Sequence, residues 1–311
     1  MFQRWRVKAR IQGVIASLPG SSNLNYMLQK YVSGSLKSTT RDLRSRITPS
    51  VEHLKYFQKF TGKPLPTRVL ELGTGWFPTV PIALYLCGVN EIYTIDVQDL
   101  TKPDYFWSMM KILDSFSEAE MLKMLPQMQP ERFQRFKKEI AQSKDIDQIR
   151  QMMNIHPIIG DARKTDFPDQ HFDLIISNST LEHIERDVIV GIWQEFHRLL
   201  TPTGIMTHFI DMSDHYEHSD KSINRYNFLQ YDDRAWEHFN NSVMFQNRLR
   251  YPDYVRIHEA AGFVIREMGV YNGDPSHFRS IALADQFKKY TQEELLPIYL
   301  WVASSIAPST N

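Results

Sequence analysis

Two periodicities divide this chain. Over the first 66 residues apolar side chains recur every three or four positions; from residue 67 they gather into short runs set apart by helical stretches. In residues 3–17 (QRWRVKARIQGVIAS), Trp5, Ala9, Ile11, Val14 and Ile15 fall at helical spacing, and Pro19-Gly20 ends the pattern. Further helices are predicted over 23–32 and 51–60, the second closing before Thr61-Gly62. The later runs cover 68–72, 91–96, 156–161, 172–178, 204–212, 262–271 and 298–306. Seven short strands, most of them separated by helices, predict an α/β fold with a seven-stranded, mostly parallel sheet flanked by helices. The last two runs lie close together, as an antiparallel closing pair would.

Two spacings exceed what a minimal fold needs. Asp96 and Asp161 are separated by 64 residues, and Asp211 and Gly262 by 50, whereas a plain crossover takes about a dozen or somewhat more. Both stretches follow strand ends, on the side where open α/β sheets bind ligands. The expected organisation is therefore an N-terminal helical cap over 1–66 and a main domain over 67–311. Helical insertions at about 99–155 and 211–261 would form a lid over a substrate.

Composition narrows the class. Lys+Arg and Asp+Glu are both 36 among 311 residues, so the chain lacks the global basic field that a phosphate backbone selects. Residues 1–50 nevertheless carry nine Lys/Arg against one acid, Asp42. That is either a solvated helical face or a docking surface for an anionic membrane or an acidic carrier. Cys87 is the single cysteine, which excludes an internal disulfide and points to a reducing cytosol. No signal peptide and no apolar run long enough for a membrane span is expected.

The candidate chemistry begins in VLELGTGWFPTVPIAL, residues 69–84. Gly73 and Gly75 sit in a predicted strand-to-helix turn, where glycine permits positive φ and close approach to a ligand. A dinucleotide fingerprint wants a third glycine where Trp76, Phe77 and Pro78 stand, which disfavours a pyrophosphate. Glu71 precedes the turn, Asp96 ends the second run, Asp161-Ala162 the third and Asn178 the fourth. Each alone could be an ordinary turn or cap. Together they make a ladder of polar strand ends, with Asp96 at the distance suited to a ribose.

On these residues the chain resembles the class I S-adenosylmethionine-dependent methyltransferases, over most of 67–306. LELGTG looks like the family's first motif, IDV its ribose-binding acid, GDA at 160–162 its adenine motif and FDLIISNSTLEHI its fourth motif. The longer glycine stretch, with SSNLNYMLQKYV and DMSDHYEHSDKSI, is similar to a bacterial subgroup from glycan and specialised-metabolite pathways. The resemblance implies a Rossmann-like fold. It implies S-adenosylmethionine as cofactor, with S-adenosylhomocysteine as product, held by Glu71, Gly73, Thr74, Gly75, Asp96, Val97, Asp161, Ala162 and Asn178.

The acceptor is less legible. Asn178-Ser179-Thr180-Leu181 lacks the Pro-Pro-aromatic element that related enzymes use on planar nitrogens, no Pro-Cys pair exists, and nucleic acid is disfavoured by charge. A small-molecule hydroxyl, free or carrier- or lipid-linked, is expected. A hydroxyl needs a base or a metal to become a nucleophile. The stretch HFIDMSDHYEHSD (208–220) supplies both possibilities. His215 is the candidate general base, Asp211 or Asp214 would fix its tautomer, and His183 and His218 complete the catalytic set. A divalent ion on His215, His218 and a carboxylate, or a purely structural cluster, remain open. So do nitrogen or carbon acceptors and a scaffold without chemistry. His208 is expected in the core, and Tyr226 and Tyr231 in an acceptor pocket.

Overall fold

The computed structural model describes residues 4–17 and 39–308. The seven strands are β1 (Arg68–Leu72), β2 (Glu91–Asp96), β3 (Ile155–Ile159), β4 (Phe172–Asn178), β5 (Leu200–Asp211), β6 (Phe263–Asn272) and β7 (Pro297–Ile306). They form one sheet in the order β3-β2-β1-β4-β5-β7-β6. The first five are parallel, and β7 runs antiparallel between β5 and β6. This is the seven-stranded, mostly parallel, Rossmann-like fold expected from the sequence. Strand β3 stops two residues short of the expected end at 161. Strand β5 starts at Leu200, ahead of the expected 204, because pairing with β4 resumes across a register shift between Phe172 and Leu174.

The flanking helices are α1 (Arg4–Ala16), α2 (Thr40–Thr61), α3 (Thr79–Leu86), α4 (Pro103–Ser115), α5 (Glu118–Met124), α6 (Pro130–Gln142), α7 (Ile146–Met152) and α8 (Arg186–Leu199). Short α9 (Asp233–Glu237), α10 (Tyr251–Ala260), α11 (Pro275–Arg279) and α12 (Gln292–Leu295) follow. The helix expected over 23–32 lies outside the described residues. Helix α2 is twice as long as the 51–60 stretch that predicted it and runs through Pro49. Leu43, Ile47, Leu54 and Phe57 fall on one face and are all buried. That stripe outweighs the single hydrogen bond a proline removes.

Alternation along the strands splits the core in two. Val69, Ile92, Leu174 and Ile176 face a cluster built with α2 to α6, while Leu70, Ile95, Ile175 and Met206 face α8 and α10. The 99–155 insertion thus covers one sheet face with Phe106, Met109, Phe133 and Phe136. A third cluster belongs to the second insertion, where Tyr216, Phe228, Leu229 and Trp236 enclose Trp5 of α1.

The two described N-terminal helices therefore do different things. Helix α2 belongs to the sheet's core. Helix α1 docks on the second insertion: the Trp5 ring lies 4.7 Å from Phe239 and 5.4 Å from Tyr216, and its backbone N–H donates to Asp220 Oδ2 at 2.9 Å. Part of the N-terminal positive charge covers aromatic rings, with Arg6 over Tyr231 and Arg46 over Phe77. Among the described residues, no helix is long and apolar enough to cross a membrane.

Trp5 is fully buried, so Trp5→Ala should cost about 3 kcal/mol of packing. We expect α1 to detach first, seen as new protease cleavage within residues 4–17 at temperatures where the sheet stays folded.

Candidate active site

The chain passes from β1 outward to β2 and β3, then returns to place β4 on the other side of β1. Ligands of open α/β sheets bind at such a reversal, outside the carboxyl ends of the strands. Register puts Leu72 level with Ile95 on β2 and with Ser177 on β4. The residues just beyond these strands accordingly share one edge. They line a cleft of about 710 Å³ that includes Gly73, Gly75, Asp96, Val97, Asp161, Ala162, Thr180 and His183.

The glycine loop is shaped by two constraints. Gly73 has φ +76° and Gly75 φ +65°, a region that L side chains rarely adopt. A Cβ on Gly73 would also fall 2.2 Å from Thr180 Cγ2. Nothing approaches a Cβ on Gly75 within 4 Å, so the loop leaves open space there. Pro78 is the residue before α3 rather than within its first turn, with Thr79 starting the helix. Trp76 lines the cleft, and Phe77 is held under the Arg46 guanidinium at 4.0 Å.

Two carboxylates stand below this loop. Glu71 is buried and accepts from Thr74 Oγ1 at 3.0 Å. Burial pushes its carboxyl up to about 8, opposed by the Thr74 bond and reinforced by Asp96. Asp96 accepts from the Gly75 N–H at 3.3 Å and the Gln98 N–H at 3.2 Å. Burial also raises it, although these backbone donors pull the other way. Beside it Val97 is 72% exposed, an apolar wall open to the cleft. Asp161 lies at the cleft mouth, gripped by Arg163 through Nε and Nη2 at 2.5–3.0 Å, which holds its carboxyl below the usual range.

These residues fit an adenosyl cofactor. A carboxylate lining the cleft at the end of β2, an apolar wall next to it and a glycine loop with open space at Gly75 make a nucleoside-sized recess. Asn178 sits differently. It is not among the residues lining the cleft, and its Oδ1 accepts from His53 Nε2 of α2 at 3.0 Å. His53 Nδ1 meets Thr207 Oγ1 at 2.6 Å, which ties α2 to β4 and β5 together. Ser179 next to it carries φ +46°, strained for a non-glycine residue.

The histidine-rich stretch stands behind His183, which lines the cleft, whereas Asp211, Asp214, His215 and His218 do not. A short 3-10 turn, Leu181–His183, follows β4, and a second, His215–His218, follows β5. Their rings meet: His183 and His215 are 4.9 Å apart, and His215 and His218 stack at 5.4 Å. Asp211 Oδ2 lies 3.6 Å from His215 Nε2, an ion-pair distance too long for a hydrogen bond. Ser213 holds Asp211 Oδ1 through its backbone N–H at 2.9 Å and its hydroxyl at 2.6 Å. His183 opens to the cleft while its Nδ1 contacts the Phe245 carbonyl at 2.7 Å. A carbonyl only accepts, so Nδ1 carries the proton and Nε2 keeps its lone pair. Close packing, then the His215 ring, holds the His183 pKa below the usual histidine range even with its edge open.

Asp214 does something other than fix a tautomer. Its carboxylate caps the second turn at the Tyr216 N–H, 2.8 Å, and accepts from Asn227 Nδ2 at 2.8 Å. His208 is a core residue as expected, fully buried with Nδ1 on Ser177 Oγ at 2.8 Å. Tyr226 and Tyr231 are not pocket residues. Tyr226 is buried with its hydroxyl on the Leu296 carbonyl, and Tyr231 accepts from Arg6.

Sequence reasoning missed three features. One is His53. The second is Glu182, 2% exposed beside this cluster. The third is a strap, residues 245–247, that grips both turns. Gln246 accepts from the His215 N–H at 3.1 Å and donates to the Ser213 carbonyl at 2.9 Å. Asn247 Nδ2 donates to the Leu181 and Ile184 carbonyls, and its N–H to the Glu182 carbonyl. The signal was faint: amide side chains directly before a helix, in a stretch already marked as an insertion.

A family model described as a methyltransferase domain matches residues 135–204, from α6 to the start of β5. No curated protein matches in sequence. Solved structures of similar shape include the PH0226 protein from Pyrococcus horikoshii, at 16% identity and TM-score 0.47, covering 87% of this chain and 93% of that one. A TehB-like SAM-dependent methyltransferase from Corynebacterium glutamicum aligns at 10% identity and TM-score 0.42, covering 93% of this chain and 100% of that one.

The buried Glu71 carboxyl gives a pH test. Its folded pKa of about 8 lies above the unfolded value of about 4.3, so the fold keeps a proton the unfolded chain releases. Its contribution to stability is full below about pH 4 and is lost as pH rises towards 8. Glu71→Gln should flatten that decline and melt at least ~2 °C above the wild type at pH 8.5 without cofactor, measured by calorimetry.

Proposed function

We propose that this protein is an S-adenosylmethionine-dependent methyltransferase that methylates a hydroxyl of a small molecule, free or carrier-linked. The observation that carries the reading is the cleft of about 710 Å³ itself, which the glycine loop, Asp96 and Val97 line together with His183. That volume is of the size that holds a cofactor with a compact acceptor.

Bound S-adenosylmethionine would supply an activated methyl group and a neutral thioether as leaving group. The work left to the chain is to bind, align and deprotonate. Asp96 offers carboxylate oxygens to a ribose, and the loop at Gly73–Gly75 can receive the amino-acid tail without side chains in the way. Val97 and Ala162 give the base an apolar surface. At the acceptor end, His183 presents the lone pair of Nε2 to the cleft, backed by His215 and Asp211. An acceptor hydroxyl placed there would lose its proton to this cluster as the new bond forms. The match of residues 135–204 to a methyltransferase domain supports the cofactor half of the reading.

The test supplies labelled cofactor and hydroxylated candidate acceptors, followed by mass spectrometry. We expect a gain of one methyl group on oxygen. His183→Ala should lower kcat by ~100-fold while the cofactor Kd changes less than about twofold. Absence of cofactor binding by calorimetry, or full turnover in His183→Ala, would overturn the assignment.

A further inference from the structure

Glu182 is the anomaly of the acceptor wall. Its side chain is 2% exposed, and neither carboxylate oxygen makes a well-formed hydrogen bond; only the backbone N–H groups of Glu182 and Asp211 come near enough to oppose the upward push of burial. Such a group is costly to bury unpaired. Protonation would not resolve the deficit, because a neutral carboxyl still presents one donor and one acceptor to be satisfied. What satisfies two bare oxygens at once is a cation.

The neighbours supply the rest of a ligand set. One donor atom each from Glu182, His183 and His215 lie within 4.8 Å of one another. His215 Nε2 is buried and makes no hydrogen bond, and it faces Asp211 Oδ2 at 3.6 Å. His183 donates Nδ1–H to the Phe245 carbonyl, the outer-shell arrangement that orients a metal-binding imidazole and leaves Nε2 as ligand. The strap at Gln246 and Asn247 fixes both turns that bear these residues. Two carboxylates, Glu182 and Asp211, would balance a divalent charge.

We propose that Glu182, His183 and His215 bind a divalent transition-metal ion of the zinc class at the acceptor end of the cleft. Two imidazoles select against magnesium and calcium, which prefer all-oxygen sites. Ligands around a tetrahedral ion with bonds of about 2.1 Å stand about 3.4 Å apart, so the three side chains need to draw in by on the order of one ångström. Three protein ligands leave an open position facing the cleft through His183. The use of the ion rests on the methyltransferase reading above, with the ion taking the His183 Nε2 lone pair that would otherwise receive the acceptor's proton. The acceptor oxygen would occupy the open position with its pKa lowered. Its proton is released to water, its lone pair forms the bond to the methyl carbon, and the pair of the broken S–C bond stays on sulfur.

The binding itself is tested without cofactor or acceptor, so its failure and that of the methyltransferase reading are separate results. Purified full-length protein is stripped with a chelator and titrated with Co(II) as probe, reading its ligand-field absorption and, after dialysis, its metal content. We expect one Co(II) per chain, displaced by Zn(II). Glu182→Gln keeps the shape of the side chain and should weaken binding at least ~30-fold, as should His183→Ala, with circular dichroism unchanged. His277→Ala, an exposed histidine of α11 outside this cluster, should bind as the wild type does. No stoichiometric Co(II), or binding kept in Glu182→Gln, would overturn the site.

Discussion

The grip of residues 245–247 on two distant turns is the interaction on which the acceptor side of this molecule depends. The turn after β4 and the turn after β5 are both short, and each begins one residue or a few beyond the last ladder bond of its strand. Phe245, Gln246 and Asn247 hold them with six side-chain and backbone hydrogen bonds to the segments 181–184 and 213–215. Buried amide side chains are suited to this because each has both donors and an acceptor to distribute. The strap is itself held from behind. Asn240 exchanges bonds with Gln246 in both directions, Tyr216 donates to the Phe239 carbonyl, and Trp5 packs on Phe239. A line of contacts thus runs from helix α1 to the imidazole of His183.

This line gives the second insertion a purpose that its length alone did not reveal. Its aromatic cluster does not line the cleft; it is a small core that fixes the strap. Two buried arginines finish the attachment. Arg250 donates to the carbonyls of Met212 and Pro297, and Arg248 to those of Phe228 and Tyr231. Buried guanidinium groups are tolerated here because backbone carbonyls at strand ends need donors. The first insertion behaves otherwise, as an ordinary layer over one sheet face.

How far the chain could be read without its structure follows from this geometry. The strands were legible because each apolar run is local, and a period of two survives without knowledge of its neighbours. The ladder of Glu71, Asp96 and Asp161 was legible because strand ends are local too, and parallel strands place them on one edge. Asn178 was expected at the cofactor, but it does not line the cleft and pairs with His53 instead: the two residues are 125 positions apart, and nothing periodic links them. Asp214 looked like chemistry in a stretch dense with histidines and acids, yet it is an N-cap, a role that any Asp before a turn can fill. Glu182 carried the opposite disguise, since a lone glutamate after a strand reads as solvated until burial is known.

Environment, rather than residue type, then sorts the acids of the cleft. Glu71 and Glu182 are both buried and both raised above the usual carboxylate range, but Glu71 has Thr74 to bond with and Glu182 has no such partner. Asp211 is buried too, though less deeply. Burial would raise it, and the neighbouring His215 and the two bonds from Ser213 outweigh that and hold it low. Its negative charge is one reason Glu182 stays high. A fold that sets an ionised aspartate against an unpaired glutamate and a free imidazole pair has left a position for positive charge. The metal ion proposed above would take that position, with Glu182 and Asp211 supplying the opposing charge on either side of His215.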